Sequence, residues 1–227
     1  MTNNLQVVAF DWDNTLALTR ETLVNSVNEV LQKYQLPVWE QIKEKCNPML
    51  SFTDNLAVIF GQNAEEAYRL YSEAYRRNMK QYTKQPEGVM PFLVELQHRG
   101  IKAVIVTNKH RDLLHDECAL LYDENVFAAI VCGHEAVRNK PAADPLLKAV
   151  SGLVDKITPQ TVWMVGDTAA DSLCALAAGA RAVRIGKPIW GDEDETMEEN
   201  VIYVENFSKL CDLLIKGDEF ADKKTFA

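Results

Sequence analysis

The sequence predicts an α/β protein built on a doubly wound parallel sheet (a Rossmann-like core), with an all-helical domain inserted after the first strand. Apolar runs rich in β-branched residues recur along the chain. Most of them are continuous rather than alternating, as in strands that are covered on both faces. Segments of helical periodicity lie between the later runs, and strands that alternate with helices predict βαβ units and a parallel sheet.

The individual elements follow from these patterns. Six apolar runs are predicted strands: 5–10, 101–107, 126–132, 161–165, 181–185 and 201–204. Five periodic segments are predicted helices: 89–99, 110–121, 143–153, 169–179 and 206–215. Because right-handed crossovers place the loops after the strands along one edge of such a sheet, we expect the ligand site at that edge. The acidic run 191–200 is predicted to be a solvated loop before the last strand.

The interval from Thr15 to about Pro86 breaks the alternation, because it has helical periodicity and no strand-like run. Its apolar residues fall on two helical stripes that predict buried faces: Leu23, Val27, Val30, Leu31 and Tyr34, then Ala67, Leu70, Tyr71, Ala74, Tyr75, Met79 and Tyr82. A crossover needs only about a dozen residues. We therefore predict a helical cap domain at 18–85, with residues 1–17 and 86–227 forming the α/β core.

Composition narrows the classes of function. The 227 residues carry a net charge of −9, which argues against a nucleic-acid partner or an anionic membrane surface. No run approaches the roughly 20 apolar residues of a membrane span, and the N-terminal MTNNLQVV does not resemble a secretory signal. Five cysteines without a C-x-x-C pair fit reduced thiols of a cytoplasmic protein and argue against zinc as a cofactor.

Polar residues of particular types follow four of the predicted strands. Asp11 and Asp13 follow the first strand, Thr107 and Asn108 follow the second, and Lys140 comes after the third. The fourth strand ends in GDTAAD, which contains Asp167 and Asp171. Each signal is weak alone, since Asp and Asn favour turns, a Lys before Pro is usually in a surface loop, and Asn108 could cap the next helix. Together, at one sheet edge, they predict a functional site.

These segments resemble the motifs of the haloacid dehalogenase-like hydrolase superfamily, in the order DWDNT, TN, KP and GDTAAD. The resemblance extends along the whole chain and is greatest to the phosphoglycolate phosphatase-like group, whose helical cap follows the first strand. The segment 86–109 is also similar to that group's approach to the second motif. Asn14 departs from the pattern, because the family usually has Gly at this position.

The resemblance implies a role for each residue. Asp11 is similar to the family's nucleophile, which forms an aspartyl-phosphate, and the Asp13 side chain to its general acid and base. Lys140 matches the lysine that neutralises the nucleophile and the phosphate. The Thr107 hydroxyl and the Asn108 backbone amide would hold the phosphoryl oxygens.

The resemblance also implies Mg²⁺. Asp11, the backbone carbonyl of Asp13, and Asp167 match the family's metal ligands, and oxygen ligands suit this ion. Asp171 lies one helical turn after Asp167. Asp171 and Thr15 are expected to contact the metal ligands and hold them in place, without binding the metal themselves. A recruited cation would let this acidic chain bind an anionic substrate.

The implied activity is hydrolysis of a phosphomonoester of a small metabolite. An acid at position 13 argues against the dehalogenases and phosphonate hydrolases of the superfamily, and Thr15 fits phosphatases better than sugar-phosphate mutases. A phosphomutase, or a binding or regulatory protein without turnover, stays open as an alternative. The oligomeric state is also open between a monomer and a homodimer.

Residues of the cap are expected to determine which substrate binds. Arg20, Lys45 and Lys109 could meet a substrate carboxylate, although each type of residue is more often solvated. Asn47, Ser51 and Phe52 are candidates in the segment 46–61, which resembles the part of the cap that faces the site in relatives.

Overall fold

The computed structural model describes residues 4–47, 49–187 and 200–216. Six strands form one sheet: β1 (Val7–Phe10), β2 (Lys102–Val106), β3 (Phe127–Val131), β4 (Val162–Gly166), β5 (Arg181–Ile185) and β6 (Val201–Val204). All five pairings are parallel, in the order β3-β2-β1-β4-β5-β6. Every residue of β1 and β4 is buried, which explains why these strands are continuous apolar runs. The predicted parallel sheet is confirmed.

Five helices cover the two faces of the sheet: α5 (Val89–His98), α6 (Arg111–Leu121), α7 (Asp144–Val150), α8 (Ala169–Ala178) and α9 (Phe207–Lys216). Buried side chains of α5, α6 and α9 share one apolar cluster with the sheet, and those of α7 and α8 share another. The sheet is therefore doubly wound. α7 is shorter than predicted, because the chain reaches Gly152 at a φ of +76°, a conformation that does not continue a helix.

Four helices lie between β1 and α5 in the chain: α1 (Arg20–Lys33), α2 (Trp39–Ile42), α3 (Phe52–Phe60) and α4 (Ala64–Tyr82). Their buried residues form a third cluster, which also includes Leu113 of α6. Both predicted stripes contribute to it. The chain enters and leaves this helical segment side by side, because the N–H of Leu18 donates to the Lys84 carbonyl at 2.8 Å. The cap boundaries at residues 18 and 85 stay a prediction.

Three further sequence predictions concern membrane spans, the cysteines and the acidic run 191–200. Among the described residues, no helix combines the length and hydropathy that crossing a bilayer requires. All five cysteines are free thiols, and Cys118, Cys132 and Cys174 are buried. The acidic run predicted as a solvated loop lies, except for Asn200, outside the described residues.

The packing of α7 on the sheet gives a matched test, because Leu146 is fully buried and its neighbour Leu147 is 46% exposed. Leu146→Ala should lower the free energy of unfolding by about 2–5 kcal/mol, since it leaves a cavity against the sheet. Leu147→Ala should change it by about 0.5 kcal/mol or less. Urea denaturation followed by circular dichroism measures both. Equal losses in the two variants would contradict the placement of this helix.

Candidate active site

The site lies where the order of the strands reverses, between β1 and β4, which is where open α/β sheets bind ligands. Asp11 directly follows β1, and its backbone N–H donates to the Val165 carbonyl of β4 at 2.9 Å. Asp167 directly follows β4. Carboxylate oxygens of Asp11, Asp167 and Asp171 lie within 4.8 Å of one another, and all three residues are buried. Adjacent parallel strands thus bring together acids that are far apart in the sequence.

Lys140 lies among these acids. Its Nζ donates to Asp11 Oδ1 at 2.6 Å, to Asp171 Oδ1 at 2.7 Å and to the Val106 carbonyl at 2.9 Å. The side chain of Asn108 fixes the Lys140 backbone, accepting from its N–H and donating to its carbonyl, both at 3.0 Å. Lys140 is only 3% exposed, so the alternative of a surface lysine is wrong.

Asp171 owes its position to the local sequence GDTAAD. Its Oδ2 accepts from the Thr168 N–H at 3.0 Å and from the Thr168 hydroxyl at 2.7 Å, which caps the start of α8. A Cβ at Gly166 would lie 2.2 Å from Asp171 Cγ, so only glycine leaves room for this carboxylate. With both oxygens hydrogen-bonded, Asp171 holds Lys140 and the start of the helix.

The electrostatics of the site show an excess of negative charge. Burial raises the pKa of the Asp11 carboxyl to about 7, with Lys140 lowering it and Asp171 and Asp13 raising it further. Burial alone would lower the pKa of the Lys140 ammonium, but Asp11 and Asp171 outweigh burial and raise it. A set of buried carboxylate oxygens that one ammonium does not neutralise fits a hard divalent cation such as Mg²⁺.

Comparison with known proteins assigns the family. A sequence model of the family described as haloacid dehalogenase-like hydrolase matches residues 8–185. The chain belongs to this family. It is 30% identical over 223 residues to the phosphoglycolate phosphatase of Chromobacterium violaceum, covering 94% of this chain and 98% of that protein. It is 28% identical over 193 residues to the pyrophosphatase PpaX of Bacillus pumilus, covering 84% and 88%.

A solved structure agrees with this assignment at the level of the fold. CbbY from Rhodobacter sphaeroides, in complex with phosphate, superposes with a TM-score of 0.77 at 18% identity, covering 91% of this chain and 96% of that one. The family match and the relatives named above confirm the sequence-based prediction of a phosphatase of the haloacid dehalogenase-like hydrolase family.

A cavity of about 90 Å³ opens above the acids of this hydrolase. Five residues of the predicted site line it: Asp11, Asp13, Thr107, Asn108 and Lys140. Asp167, Asp171 and Thr15 are buried but are not among the lining residues. The Thr15 hydroxyl has no hydrogen-bond partner among the described residues.

The helix after β2 begins after His110, so the alternative that Asn108 caps it is wrong.

The loop after β1 turns Asp13 towards the inserted helices. Asn14 has a φ of +54°, in the left-handed region that Asn tolerates better than most residues, which accounts for Asn in place of the family's usual Gly. Asp13 Oδ1 accepts from the Thr19 hydroxyl at 2.6 Å and from Lys109 Nζ at 2.8 Å. The expectation that Lys109 is solvated is wrong, because its side chain is only 7% exposed.

Lys109 belongs to a buried network that sequence reasoning missed. Its Nζ also lies 2.9 Å from Glu117 Oε2 of α6 and donates to the Tyr75 hydroxyl of α4 at 2.7 Å. Glu117, which is fully buried, accepts further from Tyr75 Oη at 2.7 Å, Trp12 Nε1 at 2.7 Å and the Thr83 hydroxyl at 3.1 Å. The network joins the loop after β1, α6 and the inserted helices.

The sequence carries one signal for Glu117, because this residue shares a helix face with the apolar residues Leu113, Leu114 and Cys118, which are buried.

Only some of the candidate substrate-binding residues line the cavity. Ser51 and Phe52 line the cavity, whereas Asn47 is exposed and its side chain accepts from the Met49 N–H. Arg20 lies 3.6 Å from Glu40 and Lys45 is exposed, and neither lines this cavity. Lys109 is therefore the one candidate cation of the three that reaches it.

The buried network predicts a large cost for removing its acid. Glu117→Gln should lower the free energy of unfolding by about 3–5 kcal/mol, because it leaves the Lys109 ammonium buried with one carboxylate fewer. As a matched control, Glu73→Gln breaks an exposed pair with Arg69 and should leave stability nearly unchanged. Thermal and urea denaturation of the two variants measure the difference. Similar stabilities would contradict a buried ion pair at Glu117.

Proposed function

We propose that this hydrolase is a Mg²⁺-dependent phosphomonoester hydrolase that acts on a small phosphorylated metabolite through an aspartyl-phosphate on Asp11. The observation that carries the proposal is the meeting of Asp11, Asp13 and Lys140 at one cavity, with Asp167 beneath it, in a chain of this family. The cysteine usage supports a cytoplasmic location.

In the first step, a carboxylate oxygen of Asp11 attacks phosphorus while the bond from phosphorus to the leaving oxygen breaks. Asp13 gives a proton to that leaving oxygen, which departs as an alcohol. The Lys140 charge offsets the negative charge of the nucleophile and the phosphoryl group in this buried site. The Thr107 hydroxyl and the Asn108 backbone N–H would hold phosphoryl oxygens, since both residues line the cavity.

In the second step, water attacks the phosphorus of the aspartyl-phosphate and Asp13 takes its proton. The bond from phosphorus to the Asp11 oxygen breaks, which releases inorganic phosphate and regenerates both carboxyl groups for the next turnover. One residue thus acts as acid and then as base. Lys109 and Thr19 keep the Asp13 carboxylate in place between the two roles.

Asp11, the backbone carbonyl of Asp13, and Asp167 would hold the Mg²⁺, with Asp171 and Thr15 supporting them. When bound, the ion would supply positive charge that offsets the negative charge of the phosphoryl group. Asp171 suits a supporting role because its two oxygens already accept hydrogen bonds from Lys140 and Thr168.

Metal removal tests the need for the cation. Release of p-nitrophenol from p-nitrophenyl phosphate should stop in excess EDTA and return on addition of Mg²⁺. Ca²⁺ should restore little activity, because its larger and more flexible coordination suits in-line phosphoryl transfer poorly. Full activity in the chelator would contradict the proposed mechanism.

Substitution of the two acids tests their roles. Asp11→Asn should abolish activity, because a carboxamide attacks phosphorus poorly. Asp13→Asn should give a burst of p-nitrophenol and then a slow phase, reduced about 10²–10⁴-fold, because this leaving group needs little protonation while the second step loses its base. Exposed Asp155→Asn is the control and should behave as the unmodified protein. Stopped-flow absorbance measures all three, and unchanged turnover in Asp13→Asn would refute its role.

A further inference from the structure

We infer that the leaving group of the substrate is a small, uncharged alcohol that carries a second hydroxyl, and that His110 is the residue that recognises this hydroxyl. The inference rests on the proposed phosphatase function and narrows it. It differs from what a phosphoglycolate or pyrophosphate substrate would require, since both of these place an anion in the leaving-group part of the cavity.

The inserted helices contribute no charge to the cavity. Seven of the lining residues come from this segment of the described chain, and none of them is ionised: Leu23, Leu50, Ser51, Phe52, Thr53, Tyr68 and Tyr71. Leu113 of α6 extends the apolar wall. A carboxylate or phosphate against these residues would lose water without gaining a counter-charge from them.

The two lysines at the cavity have no hydrogen-bond donor left for a second anion. An ammonium has three N–H donors. Those of Lys109 face Asp13, Glu117 and the Tyr75 hydroxyl, all within 2.9 Å. Those of Lys140 face Asp11, Asp171 and the Val106 carbonyl, also within 2.9 Å. The carboxylates beside each lysine would in addition repel an anionic leaving group.

His110 supplies the polar contact that an alcohol needs. It lines the cavity, and its Nε2 is buried with no hydrogen-bond partner among the described residues. Its ring contacts those of Tyr68 and His134, at centroid distances of 5.0 and 5.1 Å, and these contacts restrict its rotation. Burial, and then His134, lower the pKa of His110, which favours the uncharged imidazole. A hydroxyl can donate to or accept from such a ring nitrogen.

The volume of the cavity accommodates a small alcohol. Its volume of about 90 Å³ is several times the roughly 10–15 Å³ that one water requires. This leaves room for a phosphoryl group and a leaving group of a few heavy atoms.

The first test compares 2-hydroxyethyl phosphate with phosphoglycolate, whose leaving groups differ only in a hydroxymethyl in place of a carboxylate. With Mg²⁺ present, kcat/KM should be at least about a hundredfold higher for 2-hydroxyethyl phosphate, because the carboxylate of phosphoglycolate finds no free ammonium donor and is repelled by the carboxylates that pair with the two lysines. A higher value for phosphoglycolate or pyrophosphate would overturn the inference and leave the phosphatase function standing. No phosphate release from these esters or from p-nitrophenyl phosphate would overturn the function, and the inference with it.

Adding a positively charged side chain to the lining of the cavity gives a second test with a matched control. Thr53→Lys places an ammonium at the cavity and should raise kcat/KM for phosphoglycolate relative to 2-hydroxyethyl phosphate by about tenfold or more. Val58→Lys adds the same charge to an exposed position of the same helix, outside the lining, and should leave the ratio unchanged. An equal change in both variants, or none in Thr53→Lys, would contradict the assigned leaving-group site.

The role of His110 is tested by pairing a substitution with a change of substrate. The unmodified protein should prefer 2-hydroxyethyl phosphate over ethyl phosphate by about three- to tenfold, the range of one neutral hydrogen bond. His110→Leu should abolish this preference while p-nitrophenyl phosphate is still hydrolysed. Retention of the preference in His110→Leu would show that another group binds the hydroxyl and would contradict the role of His110.

Discussion

The ammonium of Lys140, shared between Asp11 and Asp171 at 2.6 and 2.7 Å, is the interaction on which the site depends. Parallel strands β1 and β4 bring buried acids together, and buried like charges are tolerated only with a compensating cation. Asn108 fixes the backbone of Lys140, and Gly166 gives Asp171 the space to reach it. Three of the four sequence motifs therefore contribute to holding one ammonium beside the proposed nucleophile.

A second buried ion network, centred on Lys109 and Glu117, links this chemistry to the inserted helices. It reaches from Asp13, the proposed acid and base, to Tyr75 of α4 and to Thr83, where the chain leaves the helical segment. Movement of the inserted helices would change the contacts of Asp13 through Tyr75 and Thr83. The same network uses the three N–H donors of Lys109, so among the described residues this ammonium has no donor left for the leaving group.

The sequence was sufficient for the sheet and for the residues at its edge, because buried parallel strands are continuous apolar runs and the motif residues directly follow them. It was insufficient where a partner is distant in the chain. Glu117 bonds Trp12 across 105 positions, and a glutamate on a helix is ordinarily solvated. The prediction that Lys109 is solvated fails for the same reason, because Asp13 and Tyr75, which bond its ammonium, are distant from it in the chain. The family resemblance supplied the roles of Asp11 and Asp13, which geometry alone does not assign.

Direct identification of the phosphorylated residue decides whether Asp11 is the nucleophile. Asp13→Asn protein should be mixed with substrate and Mg²⁺, quenched in acid within the first turnover, digested and examined by mass spectrometry. We predict one phosphoryl group, located on Asp11 in the peptide that contains residues 11–13. A phosphoryl group on another residue, or continued release of phosphate with no labelled protein at any time after mixing, would contradict a reaction that proceeds through an aspartyl-phosphate on Asp11.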